Sequence, residues 1–395
     1  MSDEVLNLDD VNLDEDLGDM DLSGYGEIDL DISEPHFKLS SKDFKEVLKI
    51  AKAISSTTGK DPASKALCMV PDEKGLLHCY STDFDVFLCK DLVILNAENI
   101  LKEPVIVSVD TLIKLAKAVP SSTVIYRKEE NYYIRLYGGD MILETVNFPI
   151  DRFVFSDPVT ESGVIESKDL YLTMKDFSSV VTSAVSPDER RIMMSEDRAQ
   201  VVYLWSVILS KKSYQPMDLK VKDINILKAL LVNIDEPLKI SYTNEEVQTK
   251  RAVIQGNGFS YSFLISDKKL DSDQEKLVTD IIGKSGVYVD FLQLYKTIEL
   301  ASELDYAVGK VGMSYDSDSI VIGIKNKKGD DSMFTLKGNT EGKLNKYKGE
   351  LEVQAKLLKV ILKTFATSTS VRVTLSDKGI GVKNDDYEAI IVNNK

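Results

Sequence analysis

Apolar residues recur at the 3.6-residue spacing of an amphipathic helix in three similar stretches of the chain. Each stretch has an Asp-Phe pair followed by apolar residues on one helical face, at Asp43-Phe44, Asp176-Phe177 and, more weakly, Asp290-Phe291. After Phe44 and after Phe177 the next apolar positions fall three, four and seven residues later. The three phenylalanines lie 133 and 114 residues apart, which predicts a repeated domain of about 120 residues, close to the usual domain size.

Each copy continues in the same order after its first helix. Runs of alternating or β-branched residues predict strands, a second short helix follows, and hairpin-like runs close the unit. The second helices are predicted at residues 110–119, 223–231 and 354–366. The pattern indicates an α+β protein with three repeated domains, each with two helices packed on antiparallel sheets, at residues 36–155, 156–270 and 271–395.

The first 35 residues follow a different pattern. They contain thirteen Asp or Glu and no Lys or Arg, and their apolar residues are isolated, as in Asn7-Leu8-Asp9-Asp10. Such a segment cannot bury enough apolar surface to offset chain entropy, so residues 1–35 are predicted to be a disordered acidic tail. Two roles fit this composition: a solubilising tail, or a segment that orders on a basic, grooved partner surface.

Charge outside the tail is nearly balanced, although the whole chain has a formal net charge of -15. The predicted helices nevertheless carry lysines on their polar sides in all three units, and a local positive surface can form despite the acidic pI. The candidates for this surface are Lys42, Lys45, Lys49, Lys52, Lys114, Lys117, Lys175, Lys220, Lys222, Lys228, Lys296, Lys356, Lys359 and Lys363. A solvated lysine face is ordinary on one helix, but its recurrence at related positions favours one shared surface.

Lysine is a point charge that suits phosphate contacts without base discrimination. No aromatic cluster or Arg/Asn group offers readout of base edges. The residues therefore predict non-specific, salt-sensitive binding to duplex DNA.

Enzymatic chemistry and membrane insertion are not supported by the residues. The Gly-Lys pairs, such as Gly59-Lys60, lack the preceding glycine of a phosphate-binding loop, and only His36 and His78 are available for acid–base work. Cys68, Cys79 and Cys89 form no CxxC pair, so they are predicted to be reduced thiols with no metal site and no cofactor. Neither a signal peptide nor a long apolar span is recognisable, which predicts a cytoplasmic protein.

With these features the chain resembles the bacterial DNA polymerase sliding clamps, the beta clamp family. The resemblance covers residues 36–395 and includes the TDFDV stretch at 82–86, the helix SVDTLIKLAKAVP at 108–120, Asn147-Phe148-Pro149 and the C-terminal EAIIVNN. It implies a crescent of three domains that closes as a homodimer into a ring, with sheets outside and helices around duplex DNA. The implied partners are a DNA polymerase and an ATP-driven clamp loader, with no catalysis by the ring.

The resemblance also implies an apolar partner pocket between the second and third domains. Its candidates are Tyr203, Leu204, Trp205, Val207, Ile390, Ile391 and Val392, although a core role fits Trp205 as well. The chain departs from the family because it has no Asp-Gly-His-Arg-like turn around residues 198–212, lacks the usual C-terminal ending and carries the acidic tail. These departures suit a phage or another divergent replicon. They leave open an accessory protein that reuses the fold as a transcription or replication platform without encircling DNA.

Overall fold

The computed structural model describes residues 33–55, 61–184, 190–203, 206–266, 272–303, 310–325, 331–340 and 351–392. Within these residues the element order strand, helix, four strands, helix, three strands occurs three times in succession, and one further helix lies before the third copy. The threefold repetition read from the sequence is therefore present in the order of the elements. The exact domain boundaries remain a prediction.

The elements of the first copy are β1 (His36–Ser40), α1 (Ser41–Ile54), β2 (Ala66–Pro71), β3 (Leu76–Thr82), β4 (Val86–Val93), β5 (Val105–Ser108), α2 (Val109–Ala116), β6 (Ser122–Lys128), β7 (Asn131–Leu136) and β8 (Gly139–Leu143). Those of the second are β9 (Val159–Ile165), α3 (Ser167–Ser183), β10 (Arg191–Met194), β11 (Ala199–Tyr203), β12 (Ser206–Ser210), β13 (Met217–Lys220), α4 (Val221–Leu231), β14 (Leu238–Thr243), β15 (Arg251–Gly256) and β16 (Phe259–Leu264).

The extra helix is α5 (Ser272–Ile282). The third copy then consists of β17 (Val287–Asp290), α6 (Phe291–Glu303), β18 (Lys310–Asp316), β19 (Ser319–Lys325), β20 (Asp331–Thr340), β21 (Leu351–Gln354), α7 (Ala355–Leu362), β22 (Ser370–Ser376), β23 (Gly379–Lys383) and β24 (Tyr387–Val392). Each second helix begins directly after a four-residue strand, which is a shared local feature of the three copies.

The chain forms two compact units, Met1–Lys168 with Asn225–Ile265, and Asp169–Ile224 with Ser266–Lys395. In the first unit one sheet has the order β1-β6-β7-β8 and another has the order β5-β2-β3-β4-β16-β15-β14-β9. The second unit has a twelve-stranded sheet, β13-β10-β11-β12-β24-β23-β22-β17-β20-β19-β18-β21. Every strand pair in these sheets is antiparallel, so the prediction of an α+β protein with antiparallel sheets is confirmed.

Helix α1 shows how the repeated pattern produces the core. Ser40 caps the helix by accepting a hydrogen bond from the backbone N–H of Asp43. Phe44, Val47 and Leu48 then face inward and are fully or almost fully buried. They pack with apolar residues of β2, β5 and α2 in one cluster, which holds the two helices of the first copy against its sheets.

The structure corrects the register of the sequence repeat. Helix α1 begins with Ser41-Lys42-Asp43, and α3 begins with the same triplet at residues 167–169, not near Asp176. By position in the helix, the counterparts of Phe44 are therefore Leu170 and Leu294, which lie 126 and then 124 residues further on. The sequence alignment was wrong by seven residues in the second copy and by three in the third, because shifts of about one or two helical turns leave an apolar stripe almost unchanged.

Helix α5 was not predicted from the sequence. Its segment reads SDQEKLVTDII, with few apolar residues in a polar background. The helix is held at its C-terminal end by Arg372, whose side chain donates to the carbonyl of Ile282 at 2.6 Å. It also lies close to β23, since a Cβ atom at Gly381 would come within 2.9 Å of Ile282. Tertiary contacts therefore account for this helix better than its local pattern does.

None of the helices in the described residues is long and apolar enough to cross a membrane.

Candidate functional site

The lysines of α1 form a group on one side of that helix. Lys42 is exposed, and Lys45 and Lys49 are half-buried. The three line one surface groove together with Ser41, Glu46, Val119, Pro120, Ser121 and Tyr137. No carboxylate in the described part of the chain lies within 4.0 Å of these three ammonium groups, so their charge is not cancelled by a direct ion pair.

Lys52 belongs to the same stripe but has a different environment. Its Nζ lies 2.6 Å from Oδ1 of Asp110 in the first turn of α2, so this pair links the two helices of the first copy. Asp110 also has the charge that stabilises a helix N-terminus. On α2 itself Lys114 is exposed and Lys117 is half-buried at the helix end. Lys52 is therefore largely neutralised, whereas Lys114 presents its charge to solvent.

The third copy shows the same mixture of paired and exposed lysines. Lys359 on α7 lies 3.1 Å from Glu299 and 3.4 Å from Glu303, both on α6. The hydrogen bond that Lys359 donates to Glu299, and to a smaller extent the one it donates to Glu303, raises the pKa of Lys359 against the opposing effect of desolvation. Of the other predicted lysines of this copy, Lys296, Lys356 and Lys363 are exposed.

In the second copy the predicted lysines lie on or next to α3 and α4. Lys175 and Lys220 are exposed, whereas Lys222 and Lys228 are half-buried and have polar contacts. The sequence reading missed Lys168, which is exposed in the first turn of α3 at the position that corresponds to Lys42. The signal was available, because Ser-Lys-Asp occurs at 41–43 and again at 167–169.

The candidates for the partner pocket are mostly buried. Val207 on β12 pairs in register with Ile390 on β24, and both are almost fully inaccessible, as is Ile391. Tyr203 and Val392 are half-buried. Leu204 and Trp205 lie outside the described residues.

Helix α5 provides the cover over part of this apolar surface. A cluster consisting of Val207, Leu209, Val278, Ile281, Ile282 and Ile390, hereafter the α5 cluster, packs the helix onto β12 and β24. The ion pair between Lys378 and Asp280, at 2.6 Å, holds the exposed side of the helix to the turn between β22 and β23. Of the apolar residues that the sequence assigned to partner binding, Val207, Ile390 and Val392 thus pack in the same cluster as a helix of the same chain.

A groove beside the α5 cluster remains open to solvent and has a volume of about 490 Å³. It is lined by Leu209, Val278 and Ile282, by the basic side chains of Arg198, Arg372 and Lys383, and by Glu388. Lys383 contacts Glu388 at 2.9 Å, and Arg198 forms an ion pair with Asp197. The groove combines apolar side chains with hydrogen-bond donors.

Comparison with known proteins shows similarity in structure only. No protein-family model and no curated protein sequence matches the chain. The DNA polymerase III subunit beta from Pseudomonas aeruginosa superposes with a TM-score of 0.71 at 17% identity, over 91% of this chain and 100% of that one. The DNA polymerase sliding clamp from Bacillus subtilis gives 0.73 at 12% identity, over 92% and 100%.

The DNA polymerase III beta subunit from Thermotoga maritima gives a TM-score of 0.71 at 14% identity, over 91% of this chain and 99% of that one. Coverage of this extent means that all three repeats take part in the match. The chain has the fold of the bacterial sliding clamps, and the resemblance read from its sequence is confirmed at the level of the fold. The low identity agrees with the divergence noted in the pocket region.

Proposed function

We propose that this protein is a DNA sliding clamp, on the premise that its chain has the sliding-clamp fold over the full length of the proteins it matches. In this proposal the domains at 36–155, 156–270 and 271–395 form half of a ring that encircles duplex DNA. The ring tethers a replicative DNA polymerase and acts as a processivity factor without catalysis of its own. The full-length fold match is the observation that supports the proposal most strongly.

The helix lysines supply the contact with DNA in this proposal. Lys42, Lys45, Lys49, Lys114, Lys168, Lys175, Lys220, Lys296, Lys356 and Lys363 are candidates because they are at least partly exposed and have no direct ion pair among the described residues. Ammonium groups on flexible stems attract phosphates without fixing a register, so they permit sliding. Long residence on DNA then comes from ring closure and not from the strength of these contacts.

Two free strand edges favour closure by a second copy of the chain. In the first unit β8 ends its sheet, and Ile142 on this strand is 55% exposed. In the second unit residues 331–337 of β20 pair with β19 and, among the described residues, with no second strand. Met333 in this segment is 64% exposed. An apolar edge strand is a template for pairing with another chain, so we assign the dimer contact to β8 of one copy and β20 of the other.

Retention on circular DNA tests whether the ring encircles DNA. Dimers are allowed to form in the presence of a nicked circular plasmid, and the mixture is passed through a gel-filtration column at high salt before and after the plasmid is cut once. A clamp is expected to stay on the circle at high salt and to leave after linearisation. The accessory-protein alternative predicts the same salt-sensitive binding to circular and linear DNA, and that result would contradict encirclement.

The dimer contact is tested by placing a charge on the β8 edge. Ile142→Asp is expected to weaken self-association at least tenfold, because an aspartate has to be desolvated beside the apolar partner strand. Val164→Asp is the matched control, since Val164 is 54% exposed on β9, which is an edge strand of the other sheet in the same unit. Sedimentation equilibrium measures both dissociation constants. Equal effects of the two substitutions would rule out β8 as the interface.

A further inference from the structure

The hairpin formed by β3 and β4 brings an imidazole, a thiol and a carboxylate together on one face of its sheet. His78 lies directly opposite Asp91 in the strand register, and Cys89 precedes Asp91 by two residues. Side chains two residues apart on a strand point to the same face. The His78 Nδ1 atom is 2.7 Å from Oδ1 of Asp91, and the Cys89 Sγ atom is 3.7 Å from the same oxygen.

A second carboxylate lies behind the imidazole ring. Asp72 has one carboxylate oxygen 3.7 Å from His78 Nε2. Its other oxygen accepts hydrogen bonds from the backbone N–H groups of Lys74 and Leu76, at 2.8 and 2.7 Å, so the turn before β3 holds it in place. The separation between Asp72 and His78 Nε2 is longer than a hydrogen bond, but it places the charge of Asp72 beside the second ring nitrogen. A carboxylate that accepts from that nitrogen is the usual group that orients a metal-bound histidine.

We propose that His78, Cys89 and Asp91 form a binding site for a thiophilic divalent cation such as Zn²⁺, with Asp72 as the group that orients the imidazole. The three ligand atoms lie within 4.8 Å of one another. Ligand atoms around a tetrahedral zinc ion are about 3.5 Å apart, so the cation fits once the His78–Asp91 hydrogen bond opens slightly. All three side chains are half-buried, which leaves room for water as the fourth ligand.

The choice of ligands sets the class of metal. Thiolate and imidazole ligands favour zinc and cobalt, whereas magnesium and calcium prefer sites made only of oxygen. A divalent cation binds cysteine as the thiolate and releases its proton, and it compensates the negative charges of the Cys89 and Asp91 ligands. The proposal does not depend on the clamp function, since it uses only the β3–β4 hairpin and its preceding turn.

The sequence reading predicted no metal site, and the reason is visible in the fold. His78 is separated from Cys89 by ten intervening residues, with no short ligand motif between them. Only the antiparallel pairing of the two strands brings the ligands together. Cys79 does not take part because it points into the core on the opposite face.

Cobalt binding provides a direct test with an optical signal. The full chain is reduced, freed of metal with a chelator and titrated with Co²⁺. One equivalent is expected to bind and to give a thiolate-to-cobalt charge-transfer band together with the d–d bands of a four-coordinate ion. Zn²⁺ is then expected to displace the cobalt and to raise the melting temperature of the protein.

Variants decide whether these residues are the ligands. Cys89→Ser is expected to abolish the charge-transfer band, and His78→Ala to weaken Co²⁺ binding at least tenfold. Asp72→Asn, which alters only the orienting group, is expected to weaken binding about tenfold while keeping the band. Cys68→Ser is the control, because this thiol is buried and belongs to a different cluster. Absence of saturable binding, or equal binding by the wild-type chain, Cys89→Ser and His78→Ala, would overturn the proposal.

Discussion

Replacing Lys42, Lys45 and Lys49 together by glutamate is expected to lower the affinity for duplex DNA roughly a hundredfold or more near 0.1 M salt. These three lysines line one groove on α1, and no carboxylate of the described residues lies within 4.0 Å of their ammonium groups. Each lost phosphate contact also removes one released counterion. The slope of log affinity against log salt is therefore expected to become shallower by about 3.

A matched triple variant separates this surface from the effect of net charge. Lys74, Lys102 and Lys128 are exposed in the same unit and belong to loops or a strand end instead of α1 or α2. Changing them to glutamate alters the net charge of the chain equally, yet is expected to leave the affinity within a fewfold of wild type. Fluorescence anisotropy with a short duplex between 50 and 200 mM salt measures both variants, and circular dichroism checks their folding. Equal losses would remove α1 from the DNA interface.

Lys52 provides a further comparison within α1. Because Asp110 already pairs with it at 2.6 Å, the single change Lys52→Ala is expected to reduce DNA affinity less than Lys49→Ala. A lysine in an ion pair has to give up that pair before it gains a phosphate. A larger loss for Lys52→Ala would show that the pair opens on DNA.

Removing the carboxylate of Asp218 is expected to give the largest loss of stability among single substitutions of polar residues in the second unit. The Asp218 side chain is 3% exposed and lies 2.9 Å from the guanidinium of Arg191, whose side chain is 11% exposed. The same carboxylate accepts hydrogen bonds from the backbone N–H and the hydroxyl of Ser266, at 2.6 and 2.9 Å. The carboxylate thereby connects β13, β10 and Ser266, which lies two residues after the end of β16.

Asp218→Ala removes the carboxylate that pairs with the largely buried Arg191 guanidinium. It also removes the acceptor of the backbone N–H of Ser266. The expected cost is about 3–5 kcal/mol in the free energy of unfolding. Asp218→Asn is expected to cost less, because the amide oxygen can still accept one hydrogen bond. Urea unfolding of the purified chain, followed by circular dichroism, measures both.

The control for this substitution is an exposed ion pair of the same unit. Lys310 and Glu352 lie 3.6 Å apart with both side chains about half exposed. Glu352→Ala is expected to cost less than about 1 kcal/mol, since water screens such pairs. Similar losses of unfolding free energy for Asp218→Ala and Glu352→Ala would show that burial of the Asp218 network contributes little to stability.

The sequence was most informative where one local pattern is repeated. The apolar stripes of α1, α2 and α7, the paired runs at 76–95 and the threefold order of elements follow from spacing alone, because burial of one face requires that spacing. The register between copies did not follow, because a heptad shift conserves the stripe. Equivalent positions became visible only when the helix starts at Ser41 and Ser167 were known.

For the candidate site, too, some features followed from the sequence and others only from the tertiary structure. The sequence by itself determined the fold class, the helices that carry lysines and the presence of an acidic segment, because composition and periodicity are local properties. Only the tertiary structure decided which lysines are neutralised by Asp110, Glu299 and Glu303, and that α5 covers Val207 and Ile390. It also brought His78 to Cys89 and Asp91. Ion pairs, covered faces and ligand clusters depend on residues distant in the chain, whose distances are set only when the strands and helices pack.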